Sequence, residues 1–291
     1  MDDFDAFIES AWEAHAEQTR EVADRLAVSL HRVATADQVP RYAGLVSHVY
    51  GEHLGDTGAG IALLERLGAS RAAQDHPEAQ CAIARHTAAL RHVAGDSTAT
   101  ADLDGAERVG ALAAAAAMQA GRNAFDAALA TYRQALHGAE AGLPADSPAI
   151  RALAIGGNNL AAALEEKTDR TPAQTAGMVD AARAALAHWK RAGGWLEEER
   201  AEYRLANSLL QAGSPTAAVE AARRCVAICT QHAAGPFERF FGHAVLAQAL
   251  LAKGDAAAFE TERAEARACF EQVAADEQGW CEAELKKLTA A

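Results

Sequence analysis

Residues 205–213, LANSLLQAG, and residues 246–254, LAQALLAKG, repeat one pattern. In both stretches a leucine and an alanine are followed by a second leucine and then a glycine, and an alanine-rich run comes next. Apolar residues at this spacing lie on one face of an α-helix, and glycine is the residue that most often ends a helix. The pattern therefore predicts a helix, a tight turn and a second helix, repeated.

The composition favours an all-α fold. Half of the 291 residues are hydrophobic, aromatic residues make up only 5%, and alanine is abundant. Alanine favours helices and lets them pack closely, whereas sheets draw on β-branched and aromatic residues. The chain is long enough to bury a large core, either as one elongated unit or as two domains.

Charge and hydropathy argue against several classes of partner. The net charge of -13 would repel a phosphate backbone, so we expect no nucleic-acid partner. No apolar run approaches the roughly 20 residues of a membrane span, and the first residues lack the basic region of a signal peptide. The five cysteines are dispersed, without the spacing of a disulfide scaffold. We therefore expect a cytoplasmic protein with reduced thiols and no membrane insertion.

The chain is predicted to divide at a polar Ser/Thr/Asp-rich stretch, residues 95–104. Residues 1–100 then form an N-terminal helical region, and 101–291 form a more regular repeat domain. The second region begins with an alanine-rich helix over 105–120. It ends with a capping helix over 275–289, in which Trp280 is expected to pack inward.

A third, imperfect copy of the opening pattern contains Leu160, Ala161 and Leu164, with Thr168 in place of the glycine. A two-helix unit with a period of 41 to 48 residues is typical of an α-solenoid, because neither helix of a unit buries its apolar face alone. The sequence resembles the tetratricopeptide repeat (TPR) family in its longer, kinesin-light-chain-like form, most clearly over 105–273. The resemblance implies a right-handed superhelix of antiparallel hairpins, with about 12 to 13 helices. It also implies a non-catalytic scaffold that binds a protein or peptide in a concave groove.

In that repeat phase, the first helix of each pair presents a polar face. Side chains spaced three or four residues apart share this face, and they combine a guanidinium, a phenol and amides, which suit peptide backbone and carboxylates. The family's basic carboxylate clamp is not evident: Asn159 and Arg204 could be parts of one, but the lysines that it needs are missing. The predicted peptide-binding residues are Arg200, Tyr203, Asn207, Gln211, Asn158, Asn159, Arg204 and Gln248. The simpler interpretation is that they are solvated polar residues on a helix surface without a binding role.

Two alternatives remain open. One is a self-associating module that forms a homodimer through the helix over 105–120 or through the N-terminal helix. The other is a metal-responsive protein, since Cys225, Cys229 and His232 share one helical face and could bind zinc or copper. A small-residue packing stripe explains the two cysteines better, because a closed zinc site needs a fourth ligand.

Histidines are concentrated in the first third of the chain, but their spacing on an α-helix brings no ligand set together. His48 and His53, for example, fall on different helix faces. We therefore expect surface histidines and no metal. Since no phosphate loop, serine-nucleophile motif or zinc-protease motif occurs, we also expect no catalytic residues, no cofactor and no enzyme activity.

Overall fold

The computed structural model describes residues 3–289, and these residues form α-helices without any strand. None of the helices in this range is long and apolar enough to cross a membrane. The fourteen α-helices are α1 (Asp3–Ala14), α2 (Thr19–Val28), α3 (Val39–Ser47), α4 (Thr57–Gly68), α5 (Pro77–Val93), α6 (Gly105–Gly121), α7 (Phe125–Ala139), α8 (Pro148–Glu166), α9 (Pro172–Ala192), α10 (Trp195–Gln211), α11 (Pro215–Gln231), α12 (Pro236–Lys253), α13 (Ala256–Phe270) and α14 (Gln278–Thr289). The all-α prediction is confirmed.

The chain folds as two compact units that divide within α8. Unit 1 ends at Gly156 and unit 2 begins at Gly157. The expected division at residue 100 lies inside unit 1, in the connection between α5 and α6. That connection is polar and exposed, but the helices on either side of it pack against each other.

Unit 1 is built around a core of large side chains from α1 to α5. Phe4, Leu26, Tyr42 and Leu90 are all fully buried in it. The Tyr42 hydroxyl donates a hydrogen bond to the carbonyl of Leu26, so the one polar atom of this ring is satisfied inside the core. α6 and α7 extend the unit as an antiparallel hairpin.

Unit 2 is a succession of helices, each packed on the next from α9 to α13, with α14 lying against α12. The alanines of the repeated motif, Ala206 and Ala247, are completely buried. On α11 the small residues Ala218 and Ala222 are buried in line with Cys225 and Cys229. Small side chains at these contacts let neighbouring helix axes approach closely, as the motif predicted.

The motif glycines are required by the backbone at the ends of α10 and α12. Gly213 and Gly254 have φ angles of 70° and 89°, in the left-handed region that glycine enters without steric cost. The residue after each glycine donates its N–H to the carbonyl of the motif's second leucine, Leu209 or Leu250, at 2.9 Å. This is the Schellman turn that satisfies the open carbonyls of a helix end.

The same turn also occurs where no glycine marks it. Asn123 ends α6 with φ 60°, and Ala233 follows α11 with φ 48°. The residue after each of them donates its N–H to the carbonyl five residues earlier: Ala124 to Gln119 at 2.8 Å, and Ala234 to Cys229 at 2.9 Å. Sequence patterns that look for glycine cannot find these two turns.

The third motif copy ends its helix differently, because Thr168 stands where the glycine would be. Arg170 folds back and donates from Nη1 to the carbonyls of Leu164, Glu165 and Lys167, at 2.6, 3.0 and 2.6 Å. A guanidinium thus satisfies the last carbonyls of α8, which the glycine turn satisfies elsewhere.

The alanine run of α6 is packed against other helices inside unit 1. Ala113, Ala115 and Ala116 are buried, in a helix that packs on α5 and α7. The apolar residues of α1, including Phe4 and Ile8, are buried as well. The buried faces of both helices are used inside unit 1, while Trp12 of α1 is 41% exposed, and the homodimer alternative stays a prediction.

One segment departs from α-helical geometry and corrects the prediction for two histidines. α3 continues directly into a π-helix, His48–Leu54, which is followed by Gly55 with φ 69°. Because a π-helix bonds each residue to the one five positions along, His48 and His53 lie one above the other. The ring centroids are 4.7 Å apart. The expectation that they occupy different faces is wrong, because it assumed an α-helix.

Candidate functional site

A pocket in unit 2 brings together half of the predicted binding residues. Its volume is about 390 Å³, and its walls come from α8, α10, α12 and α14. The predicted residues in the wall are Asn158, Arg200, Tyr203 and Arg204. The remaining lining residues are Glu199, Phe237, Glu238, Phe241 and Trp280.

Aromatic rings form one side of this pocket. The ring of Tyr203 meets that of Phe241 edge to face, with centroids 5.5 Å apart, and Phe237 lies 5.0 Å from Phe241. The rings hold one another in fixed orientations, and such pairs add stability beyond the area they bury. Desolvation raises the pKa of Tyr203, so the phenol stays protonated and keeps a hydrogen-bond donor.

Trp280 contradicts the expectation for the terminal helix. It was expected to pack inward, but 77% of its surface is exposed. α14 instead buries Cys281, Glu284 and Leu288. An exposed tryptophan can contribute strongly to an interface, because its indole buries a large apolar area on contact.

Two arginines of the pocket are held by carboxylates. Arg200 donates from Nη2 to Glu238 at 3.0 Å, yet its side chain is 59% exposed. Arg204 donates to Glu165, whose other oxygen accepts from the Ser208 hydroxyl at 2.6 Å. Arg204 is therefore fixed within the protein, whereas most of the guanidinium group of Arg200 remains accessible to solvent.

A buried carboxyl lies behind the aromatic wall. Glu199 is 1% exposed, and the Cys225 thiol donates to its Oε1 at 2.9 Å. Desolvation raises the pKa of Glu199, and the neighbouring charge of Glu238 raises it further. The carboxylate that caps the N-terminus of α10 is that of Glu197, which accepts the N–H of Gly194 at 2.9 Å.

The other predicted residues lie outside the pocket. Asn207 is buried, and its amide donates to the carbonyl of Tyr203 in the same helix, at 3.1 Å. Gln248 donates to Glu284 of α14 at 2.6 Å. Asn159 and Gln211 are exposed but do not line the pocket. The polar line on α10 is therefore broken at Asn207, since packing on both sides of the helix buries its middle.

The cysteine-based metal alternative is not supported by the geometry. Cys225 and Cys229 are buried, but His232 is exposed and stacks on Trp195, with ring centroids 5.1 Å apart. The histidine that would complete the ligand set lies beyond the end of the buried stripe, at the C-cap of α11. The two thiols are packing residues, as the stripe indicated.

Unit 1 contains a larger cavity, about 1270 Å³, that the sequence did not indicate. Its lining includes the exposed apolar side chains Trp12 and Ile155, together with a rim ion pair in which Arg85 donates to Glu107 at 2.8 Å. Half-buried His86 also lines it, bonded to the Ser47 hydroxyl at 2.8 Å, and desolvation lowers the pKa of His86 to about 3. The lining comes from α1, α3, α5, α6 and α8, so only the tertiary fold brings these residues together.

Comparison with known proteins finds similarity only at the level of structure. No protein-family profile matches the chain, and no curated protein sequence matches it. A solved structure of a Podosopora anserina kinesin light chain with nearly identical TPR-like repeats is 16% identical, with a TM-score of 0.49, covering 79% of this chain and 93% of that chain. A variant of the same protein gives the same values.

Proposed function

We propose that this protein is a non-catalytic binding protein that holds a segment of another protein in the pocket of unit 2. One observation carries the proposal: an exposed tryptophan stands beside a wall of packed aromatic rings and an accessible arginine. Tryptophan, tyrosine and arginine are the residues that contribute most to binding energy at protein interfaces.

The pocket indicates the chemistry of the segment. The rings of Phe241 and Trp280 form an apolar surface that can contact one bulky side chain. The volume of the pocket, about 390 Å³, lies in the range of small-ligand sites. Arg200 uses one N–H on Glu238, and a guanidinium has five, so it can also bind a carboxylate of the segment. We expect an extended segment with one aromatic or branched apolar anchor next to an acidic side chain or a chain terminus.

The charge of the protein adds a restriction. A chain with net charge -13 repels a strongly acidic segment at long range, so the rest of the segment is expected to be neutral or basic. The cavity of unit 1 is larger but less suited to anchoring a side chain. Trp12 is the only phenylalanine, tyrosine or tryptophan among its described lining residues.

A random-peptide display library panned against the full chain tests the proposal. We expect enrichment of peptides with the anchor and the carboxylate, and Trp280→Ala should weaken their binding about 30-fold, the loss of one interface anchor worth about 2 kcal/mol. Leu251→Ala is the matched control, because Leu251 is an exposed apolar residue of α12 outside the pocket. Enriched peptides that bind Trp280→Ala as tightly as the wild type would refute the assignment, as would no enrichment at all.

A further inference from the structure

Three histidine side chains from two separate segments of unit 1 converge on one point. His15 lies in the turn after α1, and His48 and His53 lie in the π-helix. The ring centroids are 4.7 to 5.0 Å apart in all three pairs. The planes are tilted by 55° to 83°, so the rings surround a common point and do not stack. We propose that these three histidines form a binding site for a divalent transition-metal ion, Zn²⁺ or a close analogue.

The ring nitrogens are spaced as ligands of one ion require. One nitrogen of each histidine lies within 4.8 Å of the others, the only group of three such donors among the residues described. Nε2 of His48 and Nε2 of His53 are 3.1 Å apart. Two nitrogens that each sit 2.0 to 2.1 Å from a tetrahedral zinc are separated by about 3.3 Å, so this pair is close to its ligating distance.

Neighbouring acceptors set which nitrogen carries the proton. Nδ1 of His48 faces a Glu52 carboxylate oxygen at 2.8 Å, and Nδ1 of His15 contacts the Trp12 carbonyl. A carbonyl or an ionised carboxylate can only accept, so Nδ1 must be the donor in each case. When these rings are neutral, Nε2 therefore carries the free lone pair that a metal needs. A carboxylate or carbonyl behind a ligating histidine is the usual outer-shell arrangement of metal sites.

The π-helix is the element that creates the site. In an α-helix, residues five apart point in different directions, and the wider turn aligns them. Gly51 fixes the segment against the core, since a Cβ there would meet Leu90 and Met118 side chains at 2.8 and 2.4 Å. π-helical turns cost stability and are frequent at functional sites. Here the turn places two imidazoles beside a third.

Imidazole nitrogen selects the ion class. It suits Zn²⁺, Cu²⁺ and Ni²⁺, whereas Mg²⁺ and Ca²⁺ require oxygen ligands. Three protein ligands leave a fourth position open, and exposed His53 places that position at the surface. A bound ion would also tie the α1–α2 turn to the π-helix, so metal should stabilise the fold of unit 1.

Metal titration of the full chain, stripped with a chelator and desalted, tests this site. Zn²⁺ competition against a chromophoric chelator is expected to show one tight equivalent, with a rise in thermal midpoint. Co²⁺ is expected to give the strong visible bands of a four-coordinate nitrogen site, without thiolate charge-transfer bands. His15→Gln and His53→Gln should each weaken binding more than tenfold, and Glu52→Ala, which removes the outer-shell acceptor, roughly 10- to 100-fold.

His137→Gln serves as the control, because His137 is an exposed histidine paired with Glu140 away from the cluster. It should leave the titration unchanged. His53 is itself exposed, so the His53→Gln variant should fold, and circular dichroism checks this. Absence of a stoichiometric equivalent in the wild type would overturn the proposal. So would binding that His53→Gln does not weaken, or thiolate bands showing the ion on cysteines.

Discussion

Glu199 shows how a single buried side chain shapes the stability of unit 2. Its carboxyl is buried behind the pocket wall and accepts a bond from the Cys225 thiol. No cation pairs with it as closely as Arg224 pairs with the neighbouring buried Glu202, at 2.9 Å. Ionising Glu199 in the folded protein is therefore unfavourable, and desolvation raises its pKa.

We expect Glu199→Gln to stabilise the protein at neutral pH. A carboxyl whose pKa is raised by folding holds its proton more tightly in the folded state. Its contribution to stability is therefore present below the ordinary pKa of a glutamate and is lost as pH rises through the folded pKa. The gain expected at pH 7 should disappear near pH 4, where the carboxyl is largely protonated in both the folded and the unfolded state. Urea midpoints at both pH values measure it.

Glu198→Gln is the control in the same helical turn. Its carboxylate is more exposed and pairs with Lys190 at 3.4 Å, so its removal should change stability little at either pH. A Glu199→Gln variant that is less stable than the wild type at pH 7 but not at pH 4 would contradict the assigned pKa direction.

At this scale the sequence predicted side-chain packing better than side-chain chemistry. The small-residue stripe that contains Cys225 and Cys229 was correctly assigned to packing. The role of Glu199 was missed, because three consecutive glutamates at a helix start look alike until the tertiary fold buries one of them. Asn207 was predicted to lie on an exposed polar face but is buried, because a helix packed on both sides has no solvent-facing side at its centre.

The turns between helices also affect the stability of the protein, through the backbone conformation of single residues. Gly213 has a positive φ and nothing within 4 Å of its missing Cβ, so a substitution there is opposed by backbone strain and not by crowding. Ala233 has the same backbone conformation but carries a Cβ. A left-handed conformation costs a residue other than glycine about 1 to 2 kcal/mol.

We expect opposite effects from two substitutions in these turns. Gly213→Ala should destabilise the protein by about 1 kcal/mol, and Ala233→Gly should stabilise it by roughly 0.5 to 1 kcal/mol, because relief of strain exceeds the added freedom of the unfolded chain. Thermal or urea unfolding measures both. Gly279→Ala, at an open position without positive φ, should be neutral or slightly stabilising. Equal effects of Gly213→Ala and Gly279→Ala would contradict the turn assignment.

Element positions could be predicted wherever the sequence marks both ends of a helix. The helix expected over 105–120 is α6 (Gly105–Gly121), and Thr171 accepts the Gln174 N–H at 3.2 Å as the N-cap of α9. The π-helix could not be predicted, because its residues carry an ordinary helical pattern. Its conformation depends on Gly51 lying against α5 and α6 in the folded unit.

For the whole molecule, composition predicted the helical class, and the predicted boundary near residue 100 lies inside unit 1. Polar stretches such as 95–104 mark exposed connections, and an exposed connection can lie within one unit. The two compact units divide within the continuous helix α8, where no local sequence signal marks the division. The proposed binding pocket contains two residues that the repeat phase singled out, Arg200 and Tyr203, whereas the rings of Phe237 and Trp280 join them only through tertiary packing.

The tryptophan indole signals in a ¹H–¹⁵N spectrum test the central claim most directly. The chain has four tryptophans, and two exposed ones mark the two cavities: Trp280 in the pocket of unit 2 and Trp12 in the cavity of unit 1. On addition of a peptide selected by panning, the Trp280 indole signal should shift or broaden while that of Trp12 stays in place. A shift of the Trp12 signal with an unchanged Trp280 signal would contradict binding in the pocket of unit 2.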